Sequence, residues 1–175
     1  FGMVEACRPF IEDGRIVLFT PDSVDRQSWL SEWAHPADRA RRHTDYDRYI
    51  VEEFAPFIRH RFPEQSKLLA TGCSMGAFHA ANFFFRHPDL FDAVIALSGL
   101  YTMSDFIGEY CDDNIYFNTP LYYLPNLFDP WYLDQYRQSR IVICVGQGAW
   151  ENECLRDTRA LQAILEAQGM PAWVD

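Results

Sequence analysis

The spacing of apolar residues changes along the chain, and each change marks an element. Val4, Cys7, Phe10 and Ile11 recur at helical intervals, predicting a helix over 2–11 that Asp13-Gly14 ends. Arg15-Ile16-Val17-Leu18-Phe19-Thr20 is a short apolar run before Pro21, the pattern of a buried strand. A polar loop over 22–29 follows. Tyr46, Ile50, Phe54, Phe57 and Ile58 then lay one apolar stripe along a helix over 38–61, which Pro63 closes. Residues 68–73 read as a buried strand, 77–86 as a helix and 92–99 as a second buried strand. A further strand over 140–146 leads through a loop to a helix over 152–168. Leu155, Leu161, Ile164 and Leu165 face inward there, and Gly169 and Pro171 stop it. Ala172 opens a last strand. Strands alternating with helices predict an α/β fold with a mainly parallel sheet flanked by helices, in one domain over 1–175.

Residues 100–138 break the alternation. They hold eleven aromatic residues, from Tyr101 to Tyr136, and are interrupted by Pro120, Pro125 and Pro130. That is too long for a plain connection. Two readings stand: a cap over the strand ends, or an aromatic-cored structural excursion. Trp29 and Trp33 carry a similar pair of readings, as pocket walls or as anchors of their loop.

Composition narrows the function classes. A formal net charge of −10, from 25 acidic and 15 basic residues, argues against nucleic acid or an anionic membrane surface as a partner. No run of 18 apolar residues occurs, so no membrane span is expected. The cysteines are five, an odd number, with no metal-ligand spacing among them, which fits a reducing, cytoplasmic setting and no metal. The oligomeric state is not legible.

The chemistry concentrates at Gly72-Cys73-Ser74-Met75-Gly76, a Gly-x-Ser-x-Gly motif between a predicted strand and a predicted helix. A serine on such a turn has its hydroxyl exposed, and Gly72 and Gly76 are expected to give the turn its room. The helix N-terminus aims at the same point, so the Met75 N–H can face a developing oxyanion. The alternative is a glycine-rich turn that only packs helix on strand. A nucleophilic serine needs a base, and the base needs an orienting acid. In the chain order Ser, acid, His, the acid belongs after a later strand. Glu151, five residues past the strand over 140–146, fits that place; Glu153, further into the helix, is the fallback. Glu151 also reads as an acid that merely complements a helix N-terminus. No histidine follows His87. His79 sits five residues after Ser74 and points away from the attack face, and His43 and His60 read as surface or packing residues.

Gly72-Cys73-Ser74-Met75-Gly76-Ala77, His87-Pro88-Asp89-Leu90-Phe91 and Ala96-Leu97-Ser98-Gly99 together resemble the "Putative esterase" family of α/β-hydrolases, which includes esterase D-like and antigen 85-like enzymes. The resemblance runs from residue 15 to 175. It implies an α/β-hydrolase fold, a serine nucleophile, a late acid, a histidine near the C-terminus, a small-molecule ester substrate, and no metal or organic cofactor. The expectation is therefore a serine hydrolase of carboxylesterase type, with Ser74 and Glu151 catalytic and Met75 in the oxyanion hole. The alternatives are an acyltransferase using the same nucleophile or a hydrolase-like binding protein. Against the family pattern, the sequence lacks the first strands and the histidine loop, so truncation at both ends is expected.

Overall fold

The computed structural model describes residues 2–64 and 67–175. Among them, β1 (Leu69–Cys73), β2 (Ala93–Leu97), β3 (Arg140–Cys144) and β4 (Ala172–Val174) form a parallel sheet in the order β1-β2-β3-β4. The register is flush: Leu69, Ala93 and Arg140 stand level at one end, and Cys73, Leu97 and Cys144 at the other. The helices are α1 (Met3–Glu12), α2 (Pro36–Tyr49), α3 (Ala55–Arg61), α4 (Met75–Arg86), α5 (Ser104–Ile107), α6 (Asp113–Phe117), α7 (Pro120–Tyr123), α8 (Pro130–Gln138) and α9 (Asn152–Ala167). The four strands thus confirm the predicted parallel α/β architecture.

Helix α4 sits at the centre. Every residue from Ala77 to Phe85 is buried, as expected of a helix that is apolar on nearly all sides. The aromatic segment joins this core: Tyr101, Met103, Ile107, Ile115, Tyr123, Leu124 and Tyr136 are buried, whereas Phe117, Phe128 and Trp131 stay exposed. The Asp157 carboxylate ties the start of the segment to α9, accepting the Tyr101 and Thr102 N–H groups at 2.8 and 2.9 Å. Among the described residues no helix is long and apolar enough to cross a membrane, and no group of three or more His, Cys, Asp or Glu is placed to hold a metal.

Two predicted elements differ. Residues 15–20 form no strand, and Ile16 and Val17 are 40% and 49% exposed. An apolar run encodes a preference for burial; a strand also needs a neighbour for its N–H and C=O groups, and β1 pairs only with β2 among the described residues. Phe19 still packs edge-on against Phe54 and Phe62. The single predicted helix over 38–61 is instead α2, a π-helical turn over Ile50–Phe54, and α3. Pro56 has no N–H to give the carbonyl four residues back, and the ladder widens so that the Ala55 N–H reaches the Ile50 carbonyl. The extra residue rotates α3, which leaves Phe57 54% exposed rather than on the stripe.

His43 is wholly buried, between Trp29 at 5.1 Å and the stacked ring of His79 at 5.2 Å (centroid distances). Burial, with help from His79 and Arg86, holds its pKa well below the ordinary value. Neutral Nε2 accepts from Asn82 Nδ2 at 3.2 Å. The unfolded chain takes up this proton near pH 6.5 while the folded chain refuses it, so stability falls as pH drops through that value. We expect the urea midpoint to fall between pH 7 and pH 5, with His43 contributing at most about 1.4 kcal/mol per pH unit. The His43→Phe variant should show a flatter dependence; parallel slopes for the two proteins would contradict it.

Candidate active site

The flush register sets the site. Because Cys73, Leu97 and Cys144 end level, the residues that leave the strands lie side by side. The Ser74 N–H donates to the Leu97 carbonyl at 2.9 Å, and the Ser98 N–H to the Cys144 carbonyl at 2.7 Å. Among the described residues, Ser74 and Ser98 are the non-glycine residues with positive φ, at 55° and 50°. Each conformation costs on the order of 1–3 kcal/mol and persists only where the surroundings over-determine it. Two such residues side by side, just past the carboxyl ends of β1 and β2, make this end of the sheet the candidate site.

Ser74 is exposed and is the N-cap residue of α4, but its side chain makes no capping bond. The carbonyl does the local work instead, accepting the Ala77 and Phe78 N–H groups at 2.9 and 3.2 Å. The hydroxyl is left free above the sheet, and Met75, first in the helix, carries an N–H with no intrahelical acceptor.

Gly72 makes the turn possible. A Cβ there would lie 2.3 Å from both the backbone carbon and the carbonyl oxygen of Gly76, so only glycine lets α4 start this close to β1. Gly76 differs from expectation: a Cβ at that position meets nothing within 4 Å outside its own helix. The room is made at residue 72 and used by the backbone of residue 76. We expect Gly72→Ala to destabilise the protein by about 2–3 kcal/mol through overpacking against backbone, read as a lowered thermal midpoint. Gly76→Ala should shift it by less than about 1 kcal/mol. Equal effects at the two positions would contradict this difference.

Glu151 lies at the N-cap position of α9, and its side chain does not cap that helix. It turns back to the sheet edge, where Oε1 accepts the Ser98 hydroxyl at 2.9 Å. The Gly146 N–H reaches the same hydroxyl oxygen at 3.5 Å, and a Cβ on Gly146 would strike Glu151 Oε2 at 2.1 Å. That second oxygen is buried and has no hydrogen-bond partner among the described residues. A buried carboxylate oxygen without a donor costs roughly 1–3 kcal/mol, so it marks a place for a donor. The fallback acid, Glu153, is exposed on the first turn of α9. Glu151 and Asp157 add to burial in pushing the nearby Cys154 thiol up.

Ser74 and Glu151 are therefore brought to one edge, with Ser98 between them in the ladder. Sequence reasoning missed Ser98, although it stands in the Ala96-Leu97-Ser98-Gly99 stretch. The histidines lie elsewhere. His79 and His43 stack in the core, His87 binds Asp47 at the far end of α4 (3.0 Å), and His35 Nδ1 caps α2 by accepting the Ala37 N–H. His60 is exposed on α3. Of the two tryptophans, Trp29 is wholly buried, as an anchor of its loop is expected to be, and Trp33 is 81% exposed.

A parallel sheet whose strand-to-helix turn holds a strained, uncapped serine defines an α/β-hydrolase. The comparisons with known proteins agree. The family model described as "Putative esterase" matches residues 3–171, and the chain belongs to that family. A solved structure titled ferulic acid esterase matches with a TM-score of 0.60 at 21% identity, over 74% of this chain and 51% of its own. The chain thus spans about half the length of that neighbour, and the likeness establishes the fold. No curated protein matches.

Proposed function

We propose that the protein hydrolyses a carboxylic ester through an acyl-enzyme on Ser74. The observation that carries this is the Ser74 turn itself: positive φ, exposed hydroxyl, no capping bond, and a helix N-terminus behind it. Ser74 Oγ attacks the ester carbonyl carbon as an imidazole base takes its proton. The Met75 N–H helps hold the oxygen that becomes negative. The tetrahedral species expels the alcohol, which receives the proton back, and water then cleaves the Ser74 ester by the same route. Glu151, held by Ser98, orients the imidazole through its free Oε2. Among the described residues no histidine stands at this end of the sheet, so what this chain supplies to the imidazole is its setting, Glu151 and Ser98. The structural neighbour is a ferulic acid esterase, which makes a ferulic acid ester the first substrate to try. Acyl transfer to an acceptor other than water would use the same intermediate.

A second reading is a binding protein without turnover, motivated by a cavity of about 440 Å³ that Phe85, Arg86, Tyr116, Phe117, Tyr123 and Tyr132 help to line. It lies at the end of α4 away from Ser74, roughly 18 Å along the helix.

Intact mass of the full-length protein before and after a fluorophosphonate decides between them. One adduct on the peptide containing Ser74, absent from Ser74→Ala, supports the esterase. An unlabelled protein that turns over no ester would overturn it.

A further inference from the structure

We propose that Asp25 and His79 form a clasp that positions the first turn of α4, and with it Ser74 and the Met75 N–H, for acyl transfer. The catalytic part of this rests on the assignment of Ser74 as nucleophile. Neither residue touches substrate; they act through Trp29 and Phe78.

Helix α4 is tied by charged groups near both ends. At the far end Asp47 meets Arg86 at 3.2 Å and His87 at 3.0 Å. Nearer the turn, His79 Nε2 meets Asp25 Oδ1 at 2.6 Å, with the two side chains 7% and 18% exposed. Asp25 organises its own loop. Its Oδ2 accepts the Ser23 hydroxyl at 2.7 Å, and its carbonyl accepts the Ser28 and Leu30 N–H groups at 3.1 and 2.9 Å. Trp29 stands between those two N–H groups in sequence. It is wholly buried, edge-on to Phe78 at 6.0 Å, and Met75 packs on the same cluster. Phe78 is one of the two residues, with Ala77, whose N–H closes on the Ser74 carbonyl. The path from clasp to turn is therefore continuous: Asp25, Trp29, Phe78, Ser74.

The clasp has no substitute. Among the described residues His79 Nδ1 is buried without a partner, so Asp25 supplies this ring's polar contact. The neighbouring imidazole, His43, is held neutral and offers only a stacked face. The turn needs outside support because the positive φ of Ser74 is unfavourable by itself. Asp47 supplies an internal control, being a buried carboxylate on α2 that holds the opposite end of α4.

The test uses the full-length protein with Asp25→Ala, Asp25→Asn (which keeps the volume), His79→Gln and Asp47→Ala. Both alanine variants should lose thermal stability. Asp25→Ala should lower kcat about tenfold or more with KM within about twofold, and Asp47→Ala should leave kcat within about twofold. His79→Gln, whose amide N–H can stand in for Nε2, should retain at least roughly a third of the activity. Amide exchange at Ala77 and Phe78, whose N–H groups close on the Ser74 carbonyl, should quicken about tenfold or more in Asp25→Ala or Asp25→Asn and stay unchanged at residues 84–87. Equal kcat losses in Asp25→Ala and Asp47→Ala, or unchanged exchange at residues 77 and 78, would overturn the clasp. A wild-type protein that neither labels nor turns over ester refutes Ser74 as nucleophile, and the exchange measurement still decides the clasp.

Discussion

Ser74→Ala is expected to lower ester hydrolysis by the full-length protein by about 10⁴-fold or more, leaving fold and substrate binding intact. Alanine removes one exposed oxygen that makes no capping bond, so stability should change by less than about 1 kcal/mol. What remains should be the modest catalysis of an oxyanion site and bound water. A steady-state assay with an aryl ester, beside a thermal melt, checks both halves. Activity within tenfold of wild type, from a folded variant, would remove Ser74 from the mechanism.

The second large effect is expected at Glu151. Glu151→Gln preserves the volume in the cradle of Ser98 and Gly146. If the amide oxygen takes the Ser98 hydroxyl, the amide NH₂ sits where Oε2 now lies. A donor there opposes the imidazole N–H and favours the wrong tautomer, so kcat should fall by about 10³–10⁴-fold with KM little changed. Ser98→Ala, which leaves the carboxylate charge in place but frees it to turn, should cost closer to about tenfold. If Glu151→Gln keeps activity within tenfold while Glu153→Gln loses it, the orienting acid is Glu153.

The sequence made the nucleophile turn legible because its signal is local. Glycine at 72, serine at 74 and a strand-to-helix change of period all lie within a dozen residues. Glu151 was legible for a related reason: distance past a strand places a residue on the sheet edge. Ser98 was not, since its hydroxyl gains meaning only from the register that sets β2 beside β3, and register is a property of pairs of segments. The same limit explains residues 15–20, whose apolar pattern is that of a strand but which have no partner in the ladder. Phe57 was misplaced because periodicity assumes a uniform helix; Pro56, one residue before it, was the available sign that the helix would widen. Trp29 and Trp33 are one residue type on one loop, and only the packing of Phe78 and His43 separates the buried ring from the exposed one.

The ladder that holds Ser74 and Ser98 has an evolutionary consequence. The Ser74 N–H and the Ser98 N–H are secured by strand carbonyls of Leu97 and Cys144, while the segments over 100–138 and 147–150 leave the sheet and return. Insertions, deletions and drift in those segments can rebuild the surrounding surface without altering the spacing of Ser74 and Ser98. On the proposed assignment of Ser74 and Glu151, lineages sharing this end of the sheet are thus free to diverge in what they cleave while inheriting the same means of cleaving it.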